Sequence, residues 1–184
     1  MSERRARRPY AALALTLLGA ALSLTACGDD GSDPPAIDED PPAVWNPCGG
    51  LATPAMQRAF GVGFTKEAGE PTAPRCTFTP TEEGGPALDA NYMLFPAGLD
   101  AAWDAMGTLA GEVEEVDVRG ADAARMVVKF SQGSLLATGF VQNGDLIQMV
   151  NLVDPKPHDR AVDVAGMRTV LAALSAHAVA NNVE

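Results

Sequence analysis

The sequence predicts an α+β fold, with a single antiparallel sheet and helices on both faces, similar to an α/β/α sandwich. Helical patterns occur near the start, in the middle and at the end of the region 45–184. Between them lie strand-like runs joined by short turns, which favours antiparallel hairpins over a parallel sheet. One of these hairpins is apolar on both faces, so helices are expected to cover both sides of the sheet.

Three helices are expected. The first spans Thr53–Phe60, with Thr53 as its N-cap, Pro54 at the first helical position and Gly61 just past its end. The second covers residues 98–110 and places Trp103 and Met106 against the sheet. The third runs from residue 159 to about 180. Its apolar stripe consists of Val164, Met167, Val170, Leu171, Leu174 and Ala178.

Strand composition predicts strands at residues 75–79, 88–95, 113–118 and 124–130, and residues 61–74 are expected to form a poorly packed loop. The clearest local signal is a hairpin around Asn143-Gly144, a pair that suits a type I′ turn. The predicted register pairs Val141 with Leu146, Phe140 with Ile147 and Thr138 with Met149.

The N-terminus has the organisation of an export signal. Four arginines occur within the first ten residues, and residues 11–24 form an uncharged run. That run is shorter than the ~20 residues that span a bilayer, so a permanent transmembrane helix is the weaker interpretation.

The residues Leu24-Thr25-Ala26-Cys27 resemble the bacterial lipobox. The resemblance implies that residues 1–26 are a lipoprotein signal peptide and that Cys27 receives a diacylglyceryl group and becomes the mature N-terminus. The chain would then be anchored to the outer face of the cytoplasmic membrane. The alternative is an ordinary secretory signal cleaved near Ala26, which would leave an odd cysteine in an exported protein.

Residues 27–44 are expected to form a disordered tether. Residues 28–43 hold six acids, four prolines and one large apolar residue, Ile37. Such a segment buries too little apolar surface to offset the entropy of ordering it. Residues 45–184 then form one globular domain.

Charge excludes some partners. Without residues 1–26 the chain has nine basic and 23 acidic residues, a net charge of −14. Such a surface repels phosphate backbones and anionic headgroups, so no nucleic-acid partner is expected and membrane attachment depends on the lipid at Cys27.

Cys48 and Cys76 are predicted to form a disulfide, because they are the even pair that remains in an oxidising compartment. Two unrelated buried thiols are the alternative. A metal site is less favoured, since no histidine pair accompanies them.

A wider resemblance covers residue 44 to the C-terminus. Trp45-Asn46-Pro47-Cys48, Arg75-Cys76 and the stretch 118–124 resemble an uncharacterised domain of actinobacterial cell-envelope lipoproteins. That family more often has Asp-Pro-Cys where this chain has Asn46, and it has no established activity.

No catalytic, cofactor or metal site is predicted. His158 and His177 are expected at the surface, Ser134 in a turn, and Glu112, Glu114, Glu115 and Asp117 on a solvated strand, since the spacing of a calcium loop is missing.

The expected function is an accessory or binding module of the cell envelope that is not an enzyme and contacts an envelope protein or a small apolar ligand. The alternatives are a small-molecule or lipid-binding lipoprotein and, less favoured, an enzyme built from scattered carboxylates.

Overall fold

The computed structural model describes residues 45–183. Helices and strands follow one another as a short 3-10 helix Pro47–Gly50, α1 Thr53–Phe60, β1 Phe64–Ala68, β2 Cys76–Pro80, β3 Ala87–Leu94, α2 Gly98–Met106, β4 Glu112–Glu115, β5 Ala123–Ser131, β6 Ser134–Asn143, β7 Leu146–Asp154 and α3 Arg160–Ala180.

The seven strands form one sheet in the order β1-β2-β3-β7-β6-β5-β4, and every neighbouring pair is antiparallel. Helices α1 and α3 pack on one face with the larger core cluster, and α2 packs on the other face with the smaller one. The predicted fold class is therefore confirmed, including helices on both faces of a single antiparallel sheet.

The larger core cluster lies between the sheet and α3. Met167, Val170, Leu171 and Leu174 of the predicted stripe are at most 1% exposed. Gly139 of β6 lies under Leu171, where an added Cβ would come within 3.0 Å of its side chain. The absence of a side chain at this position lets the helix lie close to the middle of the sheet.

Helix α1 has the predicted bounds but a different N-cap. Ala52 occupies the cap position and makes no side-chain cap, so the expectation for Thr53 was wrong by one residue. Gly61 ends the helix with φ of 72°, a left-handed conformation that favours glycine.

Residues 61–74 were wrongly expected to be a loop, because they contain β1. This strand pairs with β2 from Phe64 opposite Pro80 to Ala68 opposite Cys76. Phe64 is its only buried residue, so an edge strand of this kind lacks the alternating apolar pattern by which strands are recognised.

Helix α2 is shorter than expected, since it ends at Met106 and Gly107 follows with φ of 74°. Leu99 and Ala102 are buried, Trp103 is half-buried and Met106 is exposed, so Met106 does not pack in the core as predicted. Strand β4 is also shorter than the predicted strand 113–118.

The β6–β7 hairpin has a register two residues away from the predicted one. Asn143 pairs with Leu146 and Val141 with Gln148, so the loop is Gly144-Asp145. Of these two residues only Gly144 has a positive φ, the pattern of a type II′ rather than a type I′ turn. A shift of two residues preserves the side-chain faces, and both faces of the hairpin contribute to cores as expected.

Helix α3 starts after Asp159, whose side chain accepts a hydrogen bond from the backbone N–H of Ala161. Its length and apolar composition would be sufficient to cross a membrane. Eight of its residues are buried in the domain, and a core helix has the same composition, so α3 is a structural helix here.

Candidate functional site

The predicted lipidation residue Cys27, the signal peptide 1–26 and the tether 27–44 lie outside the described residues.

The Cys48–Cys76 disulfide is present. Its Cα atoms are 4.9 Å apart, and it joins the 3-10 helix to β2 across 28 residues of sequence. Cys76 is fully buried and Cys48 is nearly so. The bond therefore attaches the start of the domain to the interior of the sheet.

The first described residue, Trp45, packs against the end of α3. Its Nε1 donates a hydrogen bond to Oε1 of Gln148 at 3.0 Å. The centroid of its ring lies 4.8 Å from the ring centroid of His177. Gly50 leaves room for the His177 side chain, because an added Cβ would lie 2.7 Å from the Cβ of His177. His177 is therefore half-buried and structural, whereas His158 is exposed as expected.

Helix α2 covers only part of its sheet face. Leu99 and Ala102 contact Phe140 and Ile147, near the turn end of the β6–β7 hairpin. Leu136 shares this face with Phe140, because alternate residues of a strand point the same way. Leu136 remains 42% exposed, so the other end of the hairpin is not covered.

We call the uncovered part the open face and define it by Ala87, Lys129, Leu136, Thr138, Asn151 and Val153. Four of these residues form one row across the sheet, since Leu136 pairs with both Lys129 and Val153, and Val153 pairs with Ala87. In the next row Thr138 donates a hydrogen bond to Asn151 Oδ1 at 2.9 Å. The open face thus has an exposed apolar centre, Leu136 and Val153, beside a hydrogen-bonded polar pair, Thr138 and Asn151.

A groove on the other side of the molecule contains two buried carboxyl groups. This aspartate groove, of about 430 Å³, lies between the end of α1, the 80–86 turn, the end of β7 and the start of α3. Asp154 and Asp163 line it and are 3% and 4% exposed. The negative charge of Asp154 acts directly on the carboxyl group of Asp163.

The pKa of Asp163 is raised from 3.8 to about 6, first by burial and then by the neighbouring negative charges of Asp154 and Asp159. Asp154 Oδ1 accepts a hydrogen bond from the backbone N–H of Lys156 at 2.8 Å. Among the described residues, Asp163 Oδ2 has no hydrogen-bond donor. The pair therefore stores unfavourable electrostatic energy when both groups are ionised.

A second groove, of about 550 Å³, lies between β4, β5 and the first turns of α3. Val128, Ala161 and Val164 form its apolar part, and Glu112, Glu114 and Arg160 line it as well. Glu114 accepts two hydrogen bonds from Arg168, at 2.6 and 2.8 Å.

The acidic residues around β4 form ion pairs. Glu115 pairs with Arg125 at 2.6 Å, and Glu112 lies 3.9 Å from Arg160. Among residues 45–183 no group of three or more His, Cys, Asp or Glu side chains has the arrangement of a metal site.

Sequence reasoning missed the Asp154–Asp163 pair, although one signal was present. Asp163 lies four residues before Met167, so it is on the same face of α3 as the apolar stripe, one turn nearer the start of the helix. An acid on the buried face of a helix is the signal. Acids are common in the first turn of a helix, where the helix dipole favours them, so the position of Asp163 in the sequence does not by itself indicate a buried pair.

Comparison with protein-family models finds no match to this chain, and comparison with curated proteins finds no relative.

Proposed function

We propose that this chain is a membrane-anchored lipoprotein of the cell envelope whose domain binds a partner protein through the open face. The lipobox-like residues ending at Cys27 support the anchor, and the acidic, proline-rich segment 27–44 supports a spacer between membrane and domain. The disulfide fits an oxidising compartment.

The observation that carries the binding role is the partial coverage of the sheet by α2. Leu136 and Val153 are directly paired neighbours and are 42% and 47% exposed. Adjacent exposed apolar side chains are typical of a contact surface. Single exposed apolar residues scattered over a protein surface are common and do not indicate one.

The shape and charge of the open face favour a protein over a small ligand or a lipid surface. Leu136 and Val153 lie in an exposed row of the sheet, whereas small-molecule sites are concave and enclose most of the ligand. Lys129 borders the apolar centre, and among the described residues its ammonium group forms no ion pair. The expected partner therefore presents apolar side chains with a carboxylate placed opposite Lys129.

The anchor is tested with Cys27→Ser. The parent protein should partition into the detergent phase, and the serine variant should move to the aqueous phase. Detergent partitioning of the serine variant would show that the anchor assignment is wrong.

The binding surface is tested by photocrosslinking on intact cells. A photoreactive phenylalanine analogue at Val153 should give a discrete crosslinked product, identified by mass spectrometry. The matched control is the same analogue at Val179, an α3 valine on the opposite side of the sheet that is 50% exposed. Identical products from both positions would contradict the proposal.

Three further substitutions test the chemistry of that contact. Leu136→Asp should abolish the product from position 153, because it places a charge in the apolar centre. Lys129→Glu should weaken it and Lys129→Arg should retain it. A product that is unchanged in all three variants would mean that the open face is not the contact surface.

A small apolar ligand is the second candidate, and the groove formed by Val128, Ala161 and Val164 favours it. Native mass spectrometry of protein purified from cells should then show a bound small molecule that is lost in Val128→Glu.

A further inference from the structure

Among residues 45–183, the two carboxyl groups buried in the aspartate groove form no ion pair. Asp154 closes β7 and Asp163 lies in the first turn of α3, so the fold itself brings them together. Both side chains are more than nine-tenths buried, and both line the same groove.

Other groups around the pair add negative charge. Asp159, Glu82 and Glu83 line the same groove, along with Lys156 and His158. Within residues 45–183, neither Lys156 nor His158 forms an ion pair with any of these acids. The backbone N–H of Lys156 donates a hydrogen bond to Asp154 Oδ1.

One carboxylate oxygen of the pair has no hydrogen-bond partner among the described residues. Asp163 is 4% exposed and its Oδ2 has no hydrogen-bond donor in the described part of the chain. A buried carboxylate oxygen without a donor costs free energy, so native proteins normally supply a partner for it. The groove beside this residue has room for one.

We propose that Asp154 and Asp163 together bind a hydrated divalent cation in the aspartate groove, with Ca²⁺ preferred over Mg²⁺. Carboxylate oxygens are the ligands that both ions use, and a site with few protein ligands is completed by water. Ca²⁺ is preferred because it accepts irregular oxygen geometry, whereas Mg²⁺ demands a near-ideal octahedron.

The low number of protein ligands predicts a low affinity for the cation. Only two carboxylates meet here, so the site differs from closed metal sites that use three or four side chains. Affinity falls with ligand charge and site rigidity, and extracellular calcium modules bind with Kd of about 10⁻⁴–10⁻³ M. We expect a Kd in this range, suited to a compartment rich in calcium.

Calorimetric titration of the mature lipidated protein in detergent micelles tests the proposal, with CaCl₂ in one series and MgCl₂ in the other. Ca²⁺ should give a saturable one-site heat. Asp163→Asn and Asp154→Asn should each weaken binding at least about tenfold, since each removes one of the two ligand charges. Asp104→Asn, which removes one exposed carboxylate on α2, should bind like the parent.

Thermal melting gives a second measurement that does not depend on the variants. Ca²⁺ should raise the Tm of the parent relative to chelator-treated protein, because a ligand that binds only the native state stabilises it. Absence of saturable Ca²⁺ binding together with an unchanged Tm would overturn the proposal. Equal binding by the parent and both aspartate variants would do so too, since it would show only diffuse counterion attraction. Stronger binding of Mg²⁺ would overturn the stated preference.

Discussion

The indole N–H of Trp45 donates a hydrogen bond to the side-chain oxygen of Gln148, 103 residues further along the chain and fully buried. The amide nitrogen of the same glutamine donates to the carbonyl oxygen of Leu174 in α3 at 3.1 Å. One buried amide thus connects the start of the domain, the central strand β7 and the last helix.

Trp45→Phe should lower the free energy of unfolding by about 1 to 3 kcal/mol, because it leaves the buried oxygen of Gln148 without a donor. Urea denaturation measures the change. The control is Trp103→Phe, since in the described structure the indole N–H of Trp103 makes no hydrogen bond. Equal losses in the two variants would mean that the Trp45–Gln148 bond has no special contribution.

Removal of the disulfide by Cys48→Ser and Cys76→Ser should lower stability by about 3 to 4 kcal/mol, because the bond closes a long loop in the unfolded chain. Denaturant melts measure this loss, and Cys27→Ser serves as the control with an unchanged melt. Thiol titration of the denatured, unreduced mature protein should find no free thiol. Two free thiols would contradict the pairing.

Trp103→Ala should cost about 2 kcal/mol, less than the 3 to 5 kcal/mol of a fully buried aromatic residue. The ring is half-buried, with its centroid 5.6 Å from that of Phe140 in an edge-on arrangement and 5.2 Å from the guanidinium carbon of Arg125. Met106→Ala on the same helix is the control and should cost less than about 1 kcal/mol. Denaturant melts that rank the two variants in the reverse order would contradict this packing.

Asp163→Asn should stabilise the metal-free protein at pH 7.5 by as much as about 3 kcal/mol, since a pKa shift of one unit corresponds to about 1.4 kcal/mol. The pKa of Asp163 is raised in the folded state to about 6 from 3.8, so the native protein holds this proton more tightly than the unfolded chain. The favourable contribution is complete below about pH 4 and is lost as the pH rises towards 6.

Denaturant melts in chelating buffer from about pH 4 to 7.5 measure this difference. The difference between variant and parent isolates Asp163 from Asp154, Asp159, Lys156 and His158, which line the same groove. Asp104→Asn controls for the loss of one charge. A difference that does not change with pH would contradict the raised pKa.

Local patterns predicted most of the helices and strands. The bounds of α1 follow from Pro54 and Gly61, and the buried face of α3 follows from its apolar spacing. These features need only neighbours in sequence, because capping, φ preference and periodicity act within a few residues.

The register of the β6–β7 hairpin could not be predicted from local sequence patterns. Asn143 is an ordinary turn residue in sequence, but its amide donates hydrogen bonds to the oxygen of Gly120 and to Ser175 Oγ, at 2.7 and 3.1 Å. Those partners hold Asn143 as the last strand residue, and the turn moves one position along the chain.

By itself the sequence determined the class of fold, the order of most elements, the pairing of two cysteines and the acidic character of the domain. Only the tertiary structure decided that Phe64–Ala68 becomes an edge strand, that α2 leaves the open face uncovered, and that Asp154 and Asp163 meet. The physical reason is the separation in sequence over which each effect acts. Propensity and periodicity are local, whereas burial, electrostatic contact and strand register depend on residues that are far apart in sequence and close only after folding.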